Sequence, residues 1–171
     1  FNEDFEVRGD KETNVREFIV STERKDSHNT ILKLRGWDYK DFNKSGAFYY
    51  QHQTGSGWFS DANPDNALGP AKVKKEDGKL IGIGEFEPVD INELAVKIMK
   101  KVDFGTMKTT SVGFIPVKGH WGTERDSEDP EVYYFDEQRL VEWSIVHIPS
   151  NPDAIKKSME PMDKFLESVM T

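Results

Sequence analysis

The chain contains no cysteine. That excludes thiol nucleophiles, disulfide frameworks and thiolate zinc sites, and it fits a reducing compartment. No apolar run approaches the ~20 residues that carry a helix across a bilayer. The opening stretch FNEDFEVRGD has neither the basic start nor the apolar centre of a signal peptide. Positive charge is scarce: 23 Lys and Arg stand against 31 Asp and Glu, a formal net charge of −8. That is the wrong balance for gripping phosphates, so neither nucleic acid nor membrane is expected as a partner. There are four histidines and no HExxH spacing, so no metal is expected. The acidic stretches SDANPDN and DSEDPE lack the spacing of a calcium loop. IGIGEF lacks the third glycine and the strand-to-helix setting of a dinucleotide site, and no cofactor is expected. The RGD at residues 8–10 reads as chance, and the start at Phe1 rather than Met as trimming.

What is present suffices for a folded core. The 171 residues are 36% hydrophobic and 12% aromatic, which suits one domain over residues 1–171. Residues 1–14 are expected to be a flexible terminus and 152–171 a C-terminal helical segment. VREFIVST (15–22), TILKLR (30–35) and AFYYQHQ (47–53) read as strands. Residues 36–46 read as a turn or short helical turn closed by Gly46, and 54–70 as a loop. AKVKKEDGKLIGIGEFEP (71–88) reads as a hairpin turning at Asp77-Gly78. Asp90 is the expected cap of a helix whose buried face is Ile91, Leu94, Ala95, Ile98 and Val102, ended by Gly105. Residues 109–117 read as a strand, 118–131 as a polar acidic insertion, and 132–149 as two strands around a turn at 136–138. After Asn151-Pro152, the apolar Ile155, Met159, Met162, Phe165, Leu166 and Val169 give a last amphipathic segment broken at Pro161. The expected fold class is mainly β with flanking helices (α+β), mostly antiparallel.

The period of two along a strand locates possible chemistry. In RLVEWSIVHIP, Glu142 and Ser144 share a face with Leu140, Val146 and Ile148, while Trp143, Ile145 and His147 take the other. A carboxylate on a buried face needs a polar partner. In MKTTSVGFIPVKG, Ser111 shares a face with Gly113, which leaves room for a close approach. His52 ends its strand beside a long loop, a place where reactive side chains are commonly displayed. Ser111, His52 and Glu142 are thus a candidate nucleophile, general base and orienting carboxylate, although spacing alone proves nothing. His28 and His120 read as solvated loop residues.

The ordered motifs FYYQHQ, ALGPAKVKKEDGKLIGIGEFEP, MKTTSVGFIP and RLVEWSIVHIPSNPDA resemble those of the HK97-type prohead maturation serine proteases of tailed bacteriophages. The last two match the S-V-G-F strand and the L-x-E-x-S-x-V-x-x-P-x-N-P-x-A signature of that family. The resemblance implies a core like the β-barrel of the herpesvirus capsid protease, and a catalytic set of Ser111, His52 and Glu142. His147 is the alternative third member, by analogy with a Ser-His-His set. Ser144 and Gly113 are supporting residues, and main-chain N–H groups beside Ser111, or Arg139, are candidates for the oxyanion site. It also implies cleavage of phage scaffold or major capsid protein, and of the chain itself, inside the immature capsid in the host cytoplasm. A homodimer is a further expectation, with the apolar face of residues 155–170 as a candidate interface, although a core helix is the preferred reading of that face.

Overall fold

The computed structural model describes residues 13–57 and 60–156. Eight strands lie in one curled, half-barrel sheet. They are β1 (Val15–Ser21), β2 (Thr30–Leu32), β3 (Trp37–Asp38), β4 (Ala47–Tyr50), β5 (Ala67–Glu76), β6 (Lys79–Glu85), β7 (Thr109–Trp121) and β8 (Tyr133–Val146). Helix α1 (Lys40–Ser45) precedes β4, and α2 (Glu93–Phe104) precedes β7. The path runs β1-β6-β5-β4-β8-β2, with β3 and β7 also paired to β8.

The sheet is mostly antiparallel, as expected, with a parallel part centred on β8. β8 runs parallel to β2, β3 and β4 on one side and antiparallel to β7 on the other. Its residues 136–138, polar enough to read as a turn, stay in the strand because Asp136 and Gln138 find partners and Glu137 is exposed to solvent. Asp136 meets His120 at 2.5 Å, and Gln138 Nε2 donates to the Lys33 carbonyl at 2.9 Å. For the same reason β7 continues to Trp121, through the first four residues of the expected insertion. His120 is no solvated loop residue. It stacks on Tyr134 between the carboxylates of Asp136 and Glu128, and both hold its pKa above the ordinary value. The strand expected over 30–35 stops at Leu32, and the loop expected over 54–70 gives way to β5 at Ala67.

Trp143 carries the core, stacked on Phe48 with ring centroids 4.8 Å apart and tilted against Phe18 at 5.6 Å. The glycines of IGIGEF serve this packing. A Cβ at Gly82 would stand 2.9 Å from Trp143 Cε2, and one at Gly84 2.7 Å from Phe48 Cε1. α2 buries Ala95, Ile98 and Val102 as the periodicity predicts. Its cap is Asn92, whose side chain accepts from the Ala95 N–H, and not Asp90. Ile91 precedes the cap and is 61% exposed, so it is not part of the buried face.

The expected C-terminal helix is not seen where the structure describes it. Residues 151–153 turn, Ile155 bridges Thr109, and Lys156 bridges Phe18 in extended form. The remainder of that segment, and residues 1–12 of the expected flexible terminus, lie outside the described residues. No helix among the described residues is long and apolar enough to cross a membrane.

Candidate active site

β4 pairs parallel with β8 through Tyr50 and Ile145, and the chain then leaves the ladder. Gln51 and His52 both adopt left-handed backbone, with φ of 52° and 57°, which costs on the order of 1 kcal/mol each for residues other than glycine. His52 therefore sits in a turn just past the strand rather than at its end. The conformation is held by three hydrogen bonds. Gln51 N–H donates to the Ile145 carbonyl at 2.9 Å, Gln53 N–H to the Tyr50 carbonyl at 3.0 Å, and His52 N–H to Ser144 Oγ at 3.1 Å.

The turn delivers the imidazole to Glu142. His52 Nδ1 lies 2.5 Å from Glu142 Oε1, and Ser144 Oγ donates to Glu142 Oε2 at 2.6 Å. Glu142 and Ser144 are 5% and 0% exposed, so both carboxylate oxygens are satisfied away from water, as burial of a charge requires. The hydrogen bond from Glu142 is the main reason the His52 pKa is raised. Burial opposes it, and the carboxylate's charge adds to it. The same charge, after burial, pushes the Tyr49 phenol up.

β7 brings Ser111 opposite Ser144 and Gly113 opposite Glu142. The space left by Gly113 is filled by the Glu142 side chain rather than by backbone or open for a substrate. A Cβ at 113 would collide with Glu142 Oε1. Ser111 and His52 line two adjoining cavities, of about 260 Å³ and about 340 Å³. No hydrogen bond joins the Ser111 hydroxyl to another group among the described residues. A loose contact of this kind is common where such a bond forms only with substrate present. The arrangement leaves His52 Nε2 as the unengaged ring nitrogen beside a cleft that also holds a hydroxyl. It can take a proton from an attacking oxygen and return it to a leaving group.

The other anticipated residues fall elsewhere. Strand alternation ends at Val146, so His147 lies at the rim of the 340 Å³ cavity, not on the far face of β8. It is within 3.1 Å of the Tyr50 hydroxyl and takes no part in the His52–Glu142 contact. Arg139 is exposed, sits in register with Asp38 and Ile115, and lines neither cavity. Ser150, which lines both cavities, went unnoticed in the sequence. Nothing local marks it, because the turn at 151–153 is what carries it to the cleft. No group of His, Asp and Glu that could hold a metal ion occurs among the described residues.

Residues 83–167 match the family model described as caudovirus prohead serine protease, so the resemblance carried by the motifs is borne out. The matched span holds Ser111, Gly113, Glu142 and Ser144, while His52 lies before it. No curated protein and no solved structure matches the chain.

Proposed function

We propose that this chain is a serine endopeptidase acting in phage prohead maturation, with Ser111 as nucleophile, His52 as general base and Glu142 orienting and charge-stabilising the imidazole. The observation that carries the reading is the chain of contacts from Ser144 through Glu142 to His52, facing a cleft that Ser111 also lines. His52 Nε2 accepts the Ser111 proton as the hydroxyl attacks the scissile carbonyl, and the imidazolium then protonates the leaving amine. Water repeats the sequence on the acyl-enzyme.

For the oxyanion, the main chain beside Ser111 supplies a donor. Thr110 N–H points away from β8, to the Ala154 carbonyl at 3.0 Å. Strand alternation turns the Val112 N–H to that same outer side, next to Ser111. Arg139, far along the strand, is not used.

The substrates in this reading are phage scaffold or major capsid protein and the chain itself, within the immature capsid in the host cytoplasm. A likeness of the core to the herpesvirus capsid protease, and a homodimer, belong to the same reading. Ser111→Ala should abolish cleavage of a capsid or scaffold substrate, a loss of several orders of magnitude in the chemical step, while the thermal transition stays in place. Intact-mass spectrometry of wild type against variant checks it. Undiminished cleavage by Ser111→Ala would sink the assignment. A silent structural role on the same fold would show as no fragments from either protein.

A further inference from the structure

We propose that the 260 Å³ cavity beside Ser111 is the specificity pocket of this site, and that it takes an uncharged, apolar side chain of leucine or methionine size flanking the scissile bond. The inference rests on the hydrolytic reading of Ser111 and His52 given above. Both residues line the cavity, so a side chain seated in it holds its own main chain at the reacting atoms.

The walls decide the chemistry. The apolar part of the lining is Val20, Leu32, Val112 and Phe114, which belong to, or pack on, the hydrophobic core, and the exposed His28 with Ser150 and Asn151 completes the wall beside it. Phe114 is fixed edge-on against Trp37 at 5.9 Å and Phe135 at 5.1 Å. The pocket is therefore formed before any substrate arrives, which lowers the ordering cost of binding. A cavity of ~150 Å³ already holds one benzene, so 260 Å³ admits one aliphatic side chain together with the approach of its backbone.

Charge is selected against from both sides. The Asp26 carboxylate lies at the wall and repels an acidic side chain. Three donors already occupy it: the N–H groups of His28 and Thr30, and the Thr30 hydroxyl. An ammonium is drawn to that carboxylate, but laid against the aliphatic walls it would be poorly solvated, which offsets the attraction. Ser21 is a second sign of a ligand. It lines the cavity at 3% exposure, and its hydroxyl has no hydrogen bond among the described residues. It is placed to bond the substrate's main chain.

The test is cleavage of a peptide library varied at the positions flanking one bond, read by mass spectrometry. Wild type is compared with Ser111→Ala, Val112→Ala and Ser21→Leu, the last two with their thermal transitions recorded. Wild type should favour Leu or Met over Asp, Glu or Lys at one flanking position by roughly tenfold or more, the discrimination an apolar pocket supplies. Val112→Ala should move the preference toward Phe, and Ser21→Leu toward Ala. If Ser21→Leu does not fold, Val112→Ala decides alone. Cleavage that depends on Ser111 but shows no apolar preference, or a preference that Val112→Ala leaves unmoved, overturns the pocket and leaves the hydrolytic reading standing. No Ser111-dependent cleavage at all overturns both.

Discussion

Glu142 has no spare oxygen: Oε1 holds His52 Nδ1 and Oε2 accepts a hydrogen bond from the Ser144 hydroxyl. In the proposed mechanism this carboxylate sets both the position and the basicity of His52, and the two can be separated by pH. The His52 pKa is raised, first by the Glu142 hydrogen bond, so the acid limb of kcat/KM should lie above the ordinary histidine value near 6.5. Glu142→Gln keeps the shape and removes the charge, leaving burial as the main influence. The limb should then move to lower pH while kcat falls on the order of 10³. Stability runs the opposite way. A raised folded pKa means the contact stabilises fully below the unfolded value and is lost as pH rises through the folded one, so activity appears as this contribution fades. Since the His52 side chain is 41% exposed, the stability part is small. Glu142→Gln should also cost less stability than Glu142→Ala, which leaves a hole and no acceptor. A pH profile of the variant with its acid limb unmoved would detach Glu142 from His52. At this scale the sequence alternation put Glu142 and Ser144 on one face and no more. The second role of Ser144, holding the His52 N–H, depends on two successive left-handed residues that nothing in AFYYQHQ announces.

At the scale of elements, the register of β7 on β8 builds the site, because it sets Ser111 against Ser144 and Gly113 against Glu142. A bulge follows Gly113 directly, so only the stretch from 109 to 113 is in simple step with the end of β8 that carries Glu142 and Ser144. Gly113→Ala should push the carboxylate aside, since its Cβ and Glu142 Oε1 cannot share the space. A displacement near 1 Å at a catalytic group costs on the order of 10² in rate. The expected result is a kcat/KM drop of about that size with a lowered thermal midpoint. Activity kept within a few-fold would mean that the ladder gives way without moving Glu142. The elements were legible in proportion to how local their signals are. α2 was plain from its 3.6-residue apolar period, and only its start was misplaced, cap and Ile91 alike, because Asn92 and Asp90 are equally good capping types. β8 was cut in two because Asp136 and Gln138 resemble turn residues until His120 and the Lys33 carbonyl, distant in sequence, are seen to satisfy them. The parallel pairing of β8 with β2, β3 and β4 carries no local signature at all.

For the molecule as a whole, β1, α2 and the segment after β8 are tied by a charge cluster that the sequence does not reveal. Arg16 on β1 is 1% exposed and grips Asp103 of α2 with two hydrogen bonds of 2.8 Å, while Lys156, past β8, reaches the same carboxylate at 3.6 Å. Burial raises the Asp103 pKa, but the Arg16 hydrogen bonds and charge, with Lys156 behind them, outweigh it and hold the carboxyl below its ordinary value. A depressed folded pKa stabilises above the unfolded value of 3.8 and is lost as pH falls through the folded one. Asp103→Asn removes a carboxylate charge that faces two cations of 1% and 5% exposure, which should lower stability at pH 7 by about 1 kcal/mol, since Asp103 is itself partly open to solvent. The gap between wild type and variant should narrow on acidification, because wild type then loses the same contribution. Urea unfolding at pH 7 and near pH 3 measures both values, and a gap that does not narrow would show that the pair is no source of stability. Because the cluster touches neither cavity, the folded variant should keep its kcat. The site needs β7, β8 and the turn after β4 in place. The Arg16–Asp103–Lys156 tie instead decides how often the whole molecule is folded to present them.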